Sequence, residues 1–214
     1  MNIAKQVAEI LLNIKAVKVK VDPPFTWTSG IKSPVYCDNR RLISHPEGRK
    51  IIVDAFDRII KENQMAPEVI GGTATAAIPW AAFLAYQMNL PMIYIRPEKK
   101  EHGAGKQIEG DLEPGKKVLI VEDLISTGGS LIKSAKAVRE EGKCKVTDVI
   151  AIMTWEFEKA DDAFKKARLN LTTLTDFTNL IGLAVERGDI KQDEFEKILE
   201  FKKGPALWWD KMGY

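Results

Sequence analysis

The feature that most constrains this chain is a repeated alternation in its middle. Four short apolar runs rich in β-formers, Glu68–Ile70, Met92–Ile95, Val118–Val121 and Val149–Met153, are interleaved with stretches of helical period. Ile78 to Met88 lies between the first two runs. Ser130 to Glu141 lies between the last two and sets Leu131, Ile132, Ala135 and Val138 on one side. Strands that are apolar on both faces and alternate with helices pack as a parallel sheet covered by helices, so the fold class is α/β. Glu47 to Glu62 supplies another amphipathic helix, with Ile51, Ile52, Ala55, Phe56, Ile59 and Ile60 on one face. A strand near Leu169–Leu174 and helices near Asn179–Glu186 and Asp193–Phe201 complete the pattern. The 214 residues suit one such domain, residues 1–214, with little room for a second.

Ahead of the sheet, Ile3, Val7, Ile10, Leu11 and Ile14 form a helical stripe, and the reading is an amphipathic helix within Met1–Lys20 rather than a signal peptide. Asp22 to Arg41 is rich in Pro, hydroxyls and aromatics, with the turn signal Ser29-Gly30 between two extended pieces. It reads as a hairpin-like flap, so that helix and flap together occupy about residues 1–45. Residues 97–115 are charged and glycine-containing with no helical period. A connection that long reads as a mobile functional loop.

Composition removes several function classes. Thirty-two Lys and Arg against 30 Asp and Glu leave a formal charge of +2, which provides no field for a nucleic-acid polymer. No run approaches the roughly 18 apolar residues of a membrane span. Cys37 and Cys144 lack the spacing of a zinc site or a disulfide framework, which favours a reducing, cytoplasmic setting.

The chemistry concentrates in Val118-Leu-Ile-Val-Glu-Asp-Leu-Ile-Ser-Thr-Gly-Gly-Ser130. A buried strand ends in two carboxylates, and a turn of hydroxyls and glycines then opens a helix. The turn offers closely approachable N–H groups and the positive end of a helix, which suit a phosphate. Glu122 and Asp123 would repel that phosphate and are better matched to sugar hydroxyls, so the pairing describes a ribose 5-phosphate site. The bland alternative is a strand-to-helix turn with a serine cap. Neither the P-loop lysine pattern nor Gly-x-Gly-x-x-Gly is present in this segment.

This segment resembles the signature by which phosphoribosyltransferases bind 5-phosphoribosyl 1-diphosphate (PRPP). Phe25-Thr-Trp-Thr-Ser-Gly-Ile-Lys-Ser-Pro-Val-Tyr-Cys-Asp-Asn-Arg40 is similar to the N-terminal flap of the orotate-specific branch. Ile95-Arg-Pro-Glu-Lys-Lys-Glu-His-Gly-Ala-Gly-Lys-Gln-Ile-Glu-Gly110 is similar to its catalytic loop. The resemblance implies transfer of ribose 5-phosphate from PRPP to N1 of orotate in pyrimidine synthesis, with Mg²⁺ carried mainly by PRPP and no dedicated protein metal cage. It also implies a homodimer in which the loop of one subunit covers the site of the other. Position by position, Arg96, Lys100 and His102 contact the diphosphate, Lys100 and His102 being catalytic. Glu122, Asp123, Leu124, Ile125, Ser126, Thr127, Gly128, Gly129 and Ser130 bind PRPP, and Ser126 also reaches orotate; backbone groups of the flap complete the orotate site in this reading, with Lys32 a candidate partner for its carboxylate. These residue types suit the reaction, because cations preorganised around a departing diphosphate favour the transition state over the ground state.

The sequence departs from some family members at Thr28, Thr75-Ala76 and Pro97, where those members carry Lys, Tyr-Lys and Lys. It departs again at Thr154-Trp155-Glu156, where some carry an Arg. Gly71 to Ala77 reads equally as a diphosphate turn or a packing turn, Trp208-Trp209 as a packing anchor or dimer contact, and His45 as a helix-start residue. Two rival readings stand beside the enzyme: a PRPP-sensing regulator of the same fold, and a transferase for another base. A sensor would have little use for the 97–115 loop.

Overall fold

The structure is a computed structural model that describes residues 2–27, 30–98 and 106–211. Its centre is a six-stranded sheet built from β5 (Val69–Thr73), β6 (Met92–Ile95), β7 (Ile108–Glu109), β8 (Val118–Ile125), β9 (Asp148–Thr154) and β10 (Asn170–Asp176). The strand order is β10-β9-β8-β5-β6-β7, and all neighbours are parallel except β7, which pairs antiparallel with β6. Side-chain alternation along the strands explains why both faces are covered. Ile70, Leu119, Val121, Ile150 and Ile152 fall into one buried cluster, and Val69, Val118, Ile120, Val149 and Ala151 into the other. The first face receives α1 (Ile3–Asn13), α2 (Pro46–Glu62), α3 (Ile78–Met88) and α6 (Phe177–Glu186). The second receives α4 (Gly129–Glu140) and α5 (Glu158–Ala167).

The α/β expectation holds, with local differences. The N-terminal helix is shorter than the Met1–Lys20 window. Asn2 caps it by accepting from the Ala4 N–H at 2.9 Å, and it ends by Ile14. Val17–Val19 then forms β1, because its pairing partner β4 (Val35–Cys37) lies farther along the chain. Within that pair sits the expected hairpin, β2 (Phe25–Thr26) against β3 (Lys32–Ser33). Helix α5 had no forecast. Only Ala160 and Phe164 are buried along it, and its recognisable mark is acidic residues in the first turn with lysines in the last.

The described flanks of the 97–115 loop are ordered more than expected. Arg96 N–H donates to the Gln107 carbonyl at 2.9 Å, Ile95 faces Ile108 across β6 and β7, and Ile108 and Leu112 pack against the second cluster. Beyond the sheet, α7 (Gln192–Leu199) and the segment to Lys211 fold back toward the flap.

Candidate active site

Parallel strands present their carboxyl ends along one edge, and the chemistry-bearing residues gather there. Thr73 closes β5, Arg96 follows β6, Glu122 to Ser130 span the end of β8 and the turn after it, and Trp155 follows β9.

Strand β8 runs through the acid pair and on to Ile125, two residues past the expected end at the carboxylates. Its pairing with β5 stops at Gly72↔Val121, while pairing with β9 continues through Glu122↔Ala151 to Ile125↔Thr154. The edge that faced β5 is therefore completed by side chains, as buried peptide groups require. The Thr73 hydroxyl donates to the Val121 carbonyl at 3.0 Å, the Asn39 amide donates to the Asp123 carbonyl at 2.8 Å, and Glu122 Oε1 accepts from the Asp123 N–H at 3.1 Å. Glu122 is only 6% exposed. Burial, and then the neighbouring Asp123 charge, push its carboxyl up to about 8. Burial likewise raises Asp123. The pair thus binds a proton more readily than exposed carboxylates do, and a positively charged or hydroxyl-rich guest restores its ionised form.

The turn Ser126-Thr127-Gly128 leads into α4. Gly128 holds φ +75°, and a Cβ there would meet the Phe164 ring at 2.7 Å. The α4 start carries no side-chain cap and no acidic residue in its first turn, which leaves its leading amides for an anion. Thr127, Gly129 and Ser130 are exposed, and Leu124 and Ser126 half-buried. Ile125 is buried with its side chain in the core, so only its backbone can serve the site.

Between the flap and this turn lies a cavity of about 490 Å³ lined by Thr26, Trp27, Tyr36, Cys37, Leu124, Ser126 and Trp155. Trp27 and Trp155 stand 5.9 Å apart between ring centroids and are inclined by 32°. Together they form one aromatic wall, which suits a small planar ring laid against it. Lys32 reaches the rim, its Nζ donating to Thr26 Oγ1 at 2.8 Å. The Cys37 thiol is pushed up by burial and then by the charges of Asp123 and Asp38, which sets it beside the acid pair.

Of the residues anticipated from sequence, Arg96 and Glu122 to Ser130 share the sheet edge. Arg96 is 3.5 Å from Glu109. Lys100 and His102 lie outside the described residues. Gly71 and Gly72 belong to β5, and a Cβ on Gly72 would meet Ala81 Cβ at 2.8 Å, so packing accounts for them. Trp208 is buried against Phe201, in keeping with an anchor, and His45 precedes α2 in a groove beside α1. Sequence reasoning passed over Trp27, Tyr36, Asn39 and Trp155 as site residues. The aromatic placed directly after β9 was the available signal for Trp155.

Residues 38–181 match the phosphoribosyl transferase domain family. The chain is 47% identical to the orotate phosphoribosyltransferase of Coxiella burnetii over 208 residues, covering 97% of this chain and 99% of that protein. It is 48% identical over 210 residues to that of Streptococcus thermophilus, covering 98% and 100%. The crystal structure of orotate phosphoribosyltransferase from Aeropyrum pernix superposes with a TM-score of 0.74 at 28% identity, covering 86% of this chain and 99% of that one. The edge-on acid pair, the uncapped turn and the aromatic cavity therefore sit in a protein that belongs to the orotate phosphoribosyltransferase family.

Proposed function

We propose that the chain transfers ribose 5-phosphate from PRPP to N1 of orotate, giving orotidine 5′-phosphate and pyrophosphate. The observation that carries this reading is the direct abutment of two subsites. The cavity walled by Trp27 and Trp155 shares Leu124 and Ser126 with the segment that holds the acid pair and the phosphate turn.

In this reading, the amides opening α4 and the hydroxyls of Ser126, Thr127 and Ser130 hold the 5′-phosphate. Glu122 and Asp123 accept from the ribose hydroxyls. As the bond to diphosphate lengthens, positive charge grows on the sugar, and the acid pair opposes it from a water-poor position. The same growing charge favours ionisation of a pair that burial disfavours in the free protein. Arg96, Lys100 and His102 meet the departing diphosphate. Orotate lies against the aromatic wall that Trp27 and Trp155 form together, with Ser126 and Lys32 on its polar edge.

Among the described residues, no cluster of three or more metal-ligating side chains occurs, and the acid pair at the sheet edge is raised by burial. That donor set fits a Mg²⁺ ion held chiefly by substrate oxygens and water, touching Glu122 and Asp123 at most indirectly. When bound, the ion offsets charge on the diphosphate. Among the same residues no helix is long and apolar enough to cross a membrane, and both cysteines are free, which supports a cytoplasmic setting.

Purified protein mixed with PRPP, Mg²⁺ and orotate is expected to consume the orotate absorbance with release of pyrophosphate. Tight PRPP binding without turnover would point to a sensor instead. We further propose a homodimer in which the 97–115 loop acts across subunits. A Lys100→Ala variant mixed with a Glu122→Gln/Asp123→Asn variant is then expected to regain part of the activity that each lacks alone. Mixtures no better than their components would remove the sharing.

A further inference from the structure

We propose that Asn39 is a positioning residue that couples the base cavity to the ribose carboxylates, an inference that rests on the function proposed above. Asn39 opens a short 3₁₀ segment, Asn39–Ser44, at the end of the flap just after β4, and is only 1% exposed. Both ends of its amide are engaged. Oδ1 faces Cys37 Sγ at 3.2 Å, and Nδ2 donates to the Asp123 carbonyl at 2.8 Å, across a separation of 84 residues. The reverse orientation of the amide would set two carbonyl oxygens against each other, so the two partners fix it.

The placement of these partners carries the argument. Cys37 ends β4 and lines the cavity between the flap and β8. Asp123 is the second carboxylate of the pair, and its own N–H holds Glu122 Oε1 at 3.1 Å. A chain of contacts therefore runs from the cavity wall through Asn39 to the Asp123 carbonyl and, across the Asp123 Cα, from the Asp123 N–H to Glu122. It crosses at the place where β8 has lost β5 as a ladder partner, so no strand pairing there duplicates the Asn39 contact. A shift of the flap is passed to the peptide that aims the acid pair. A well-seated base in turn holds that peptide still.

The distinguishing substitutions are Asn39→Asp, Asn39→Ser and Asn39→Ala, studied in the full chain. Asn39→Asp keeps the size and the acceptor facing Cys37 but loses the donor to Asp123. Asn39→Ser is shorter but retains a donor. The expected result is a kcat per folded molecule about 10- to 100-fold lower in Asn39→Asp and Asn39→Ala, with cooperative melting preserved, since small misplacements of a reacting group cost rates of that order. Asn39→Ser is expected to recover part of that loss despite its poorer fit. Folded Asn39→Asp protein with unchanged kcat and unchanged KM for both substrates would overturn the proposal. So would an order of activity that follows melting temperature alone across the three variants. Wild-type turnover is read first. Its absence would overturn the functional reading, whereas wild-type turnover beside an unaffected Asn39→Asp enzyme would overturn the Asn39 inference alone.

Discussion

At the scale of single residues, the acid pair governs how the free protein responds to pH. Glu122 has an ordinary value of 4.5 raised to about 8, because burial and the Asp123 charge disfavour its ionised form. Between these values Glu122 holds a proton in the folded protein that it releases in the unfolded chain, so its contribution to stability is fully present below about 4.5 and is lost as pH rises through about 8. Asp123, raised in the same sense, adds to the trend. Thermal melts of ligand-free Glu122→Gln are expected to remove most of this decline, which for one proton is at most about 1.4 kcal/mol per pH unit. Parallel pH profiles for wild type and variant would show that the burial of Glu122 is not what sets the slope. The two carboxylates were legible in the sequence because they sit side by side within one apolar run. Asn39 was not, since nothing in a Cys-Asp-Asn-Arg string tells that its amide will complete a strand edge 84 residues away.

At the scale of elements, the turn from β8 into α4 combines two demands on one glycine. Gly128 takes a left-handed φ of +75°, and its missing Cβ leaves room for Phe164 of α5. Gly128→Ala is expected to cost more than about 1 kcal/mol from backbone strain alone, with the ring clash added. It should also raise the KM for PRPP by tilting the amides at the start of α4. Gly129→Ala meets nothing nearer than Thr127 Oγ1 at 3.9 Å, so urea melts should separate the two variants clearly; equal midpoints would show that Phe164 yields without cost. The legibility of elements follows how local their determinants are. The parallel strands and the helices α2, α3 and α4 carry their period within themselves. Strands β1 and β7 are two or three residues long and exist through partners elsewhere, β4 and β6. Helix α5 hides because so little of it is apolar.

At the scale of the whole molecule, the C-terminal segment and the flap meet through aromatic rings. Phe201 is fully buried, with Trp27 edge-on at 5.5 Å, Phe157 at 5.8 Å, Phe177 at 6.2 Å and Trp208 at 5.8 Å between centroids. Trp27 in turn packs against Trp155 on the lining of the base cavity, and its Nε1 donates to the Val35 carbonyl at 3.0 Å. The wall of that cavity therefore leans on residues at the far end of the chain, an arrangement that no local pattern around residue 27 could disclose. The phosphate turn has its own support in α4 and α5, so the two substrates should respond differently when this aromatic contact is weakened. Phe201→Leu keeps an apolar side chain but is smaller and loses four ring contacts, so it is expected to cost about 1–3 kcal/mol of stability while leaving a folded protein. It removes the edge-on partner of Trp27. Steady-state kinetics should show the KM for orotate rising several-fold, on the order of one lost aromatic contact, while the KM for PRPP stays near the wild-type value. Equal rises in both constants would mean that Phe201 supports the fold as a whole and has no particular hold on the base subsite.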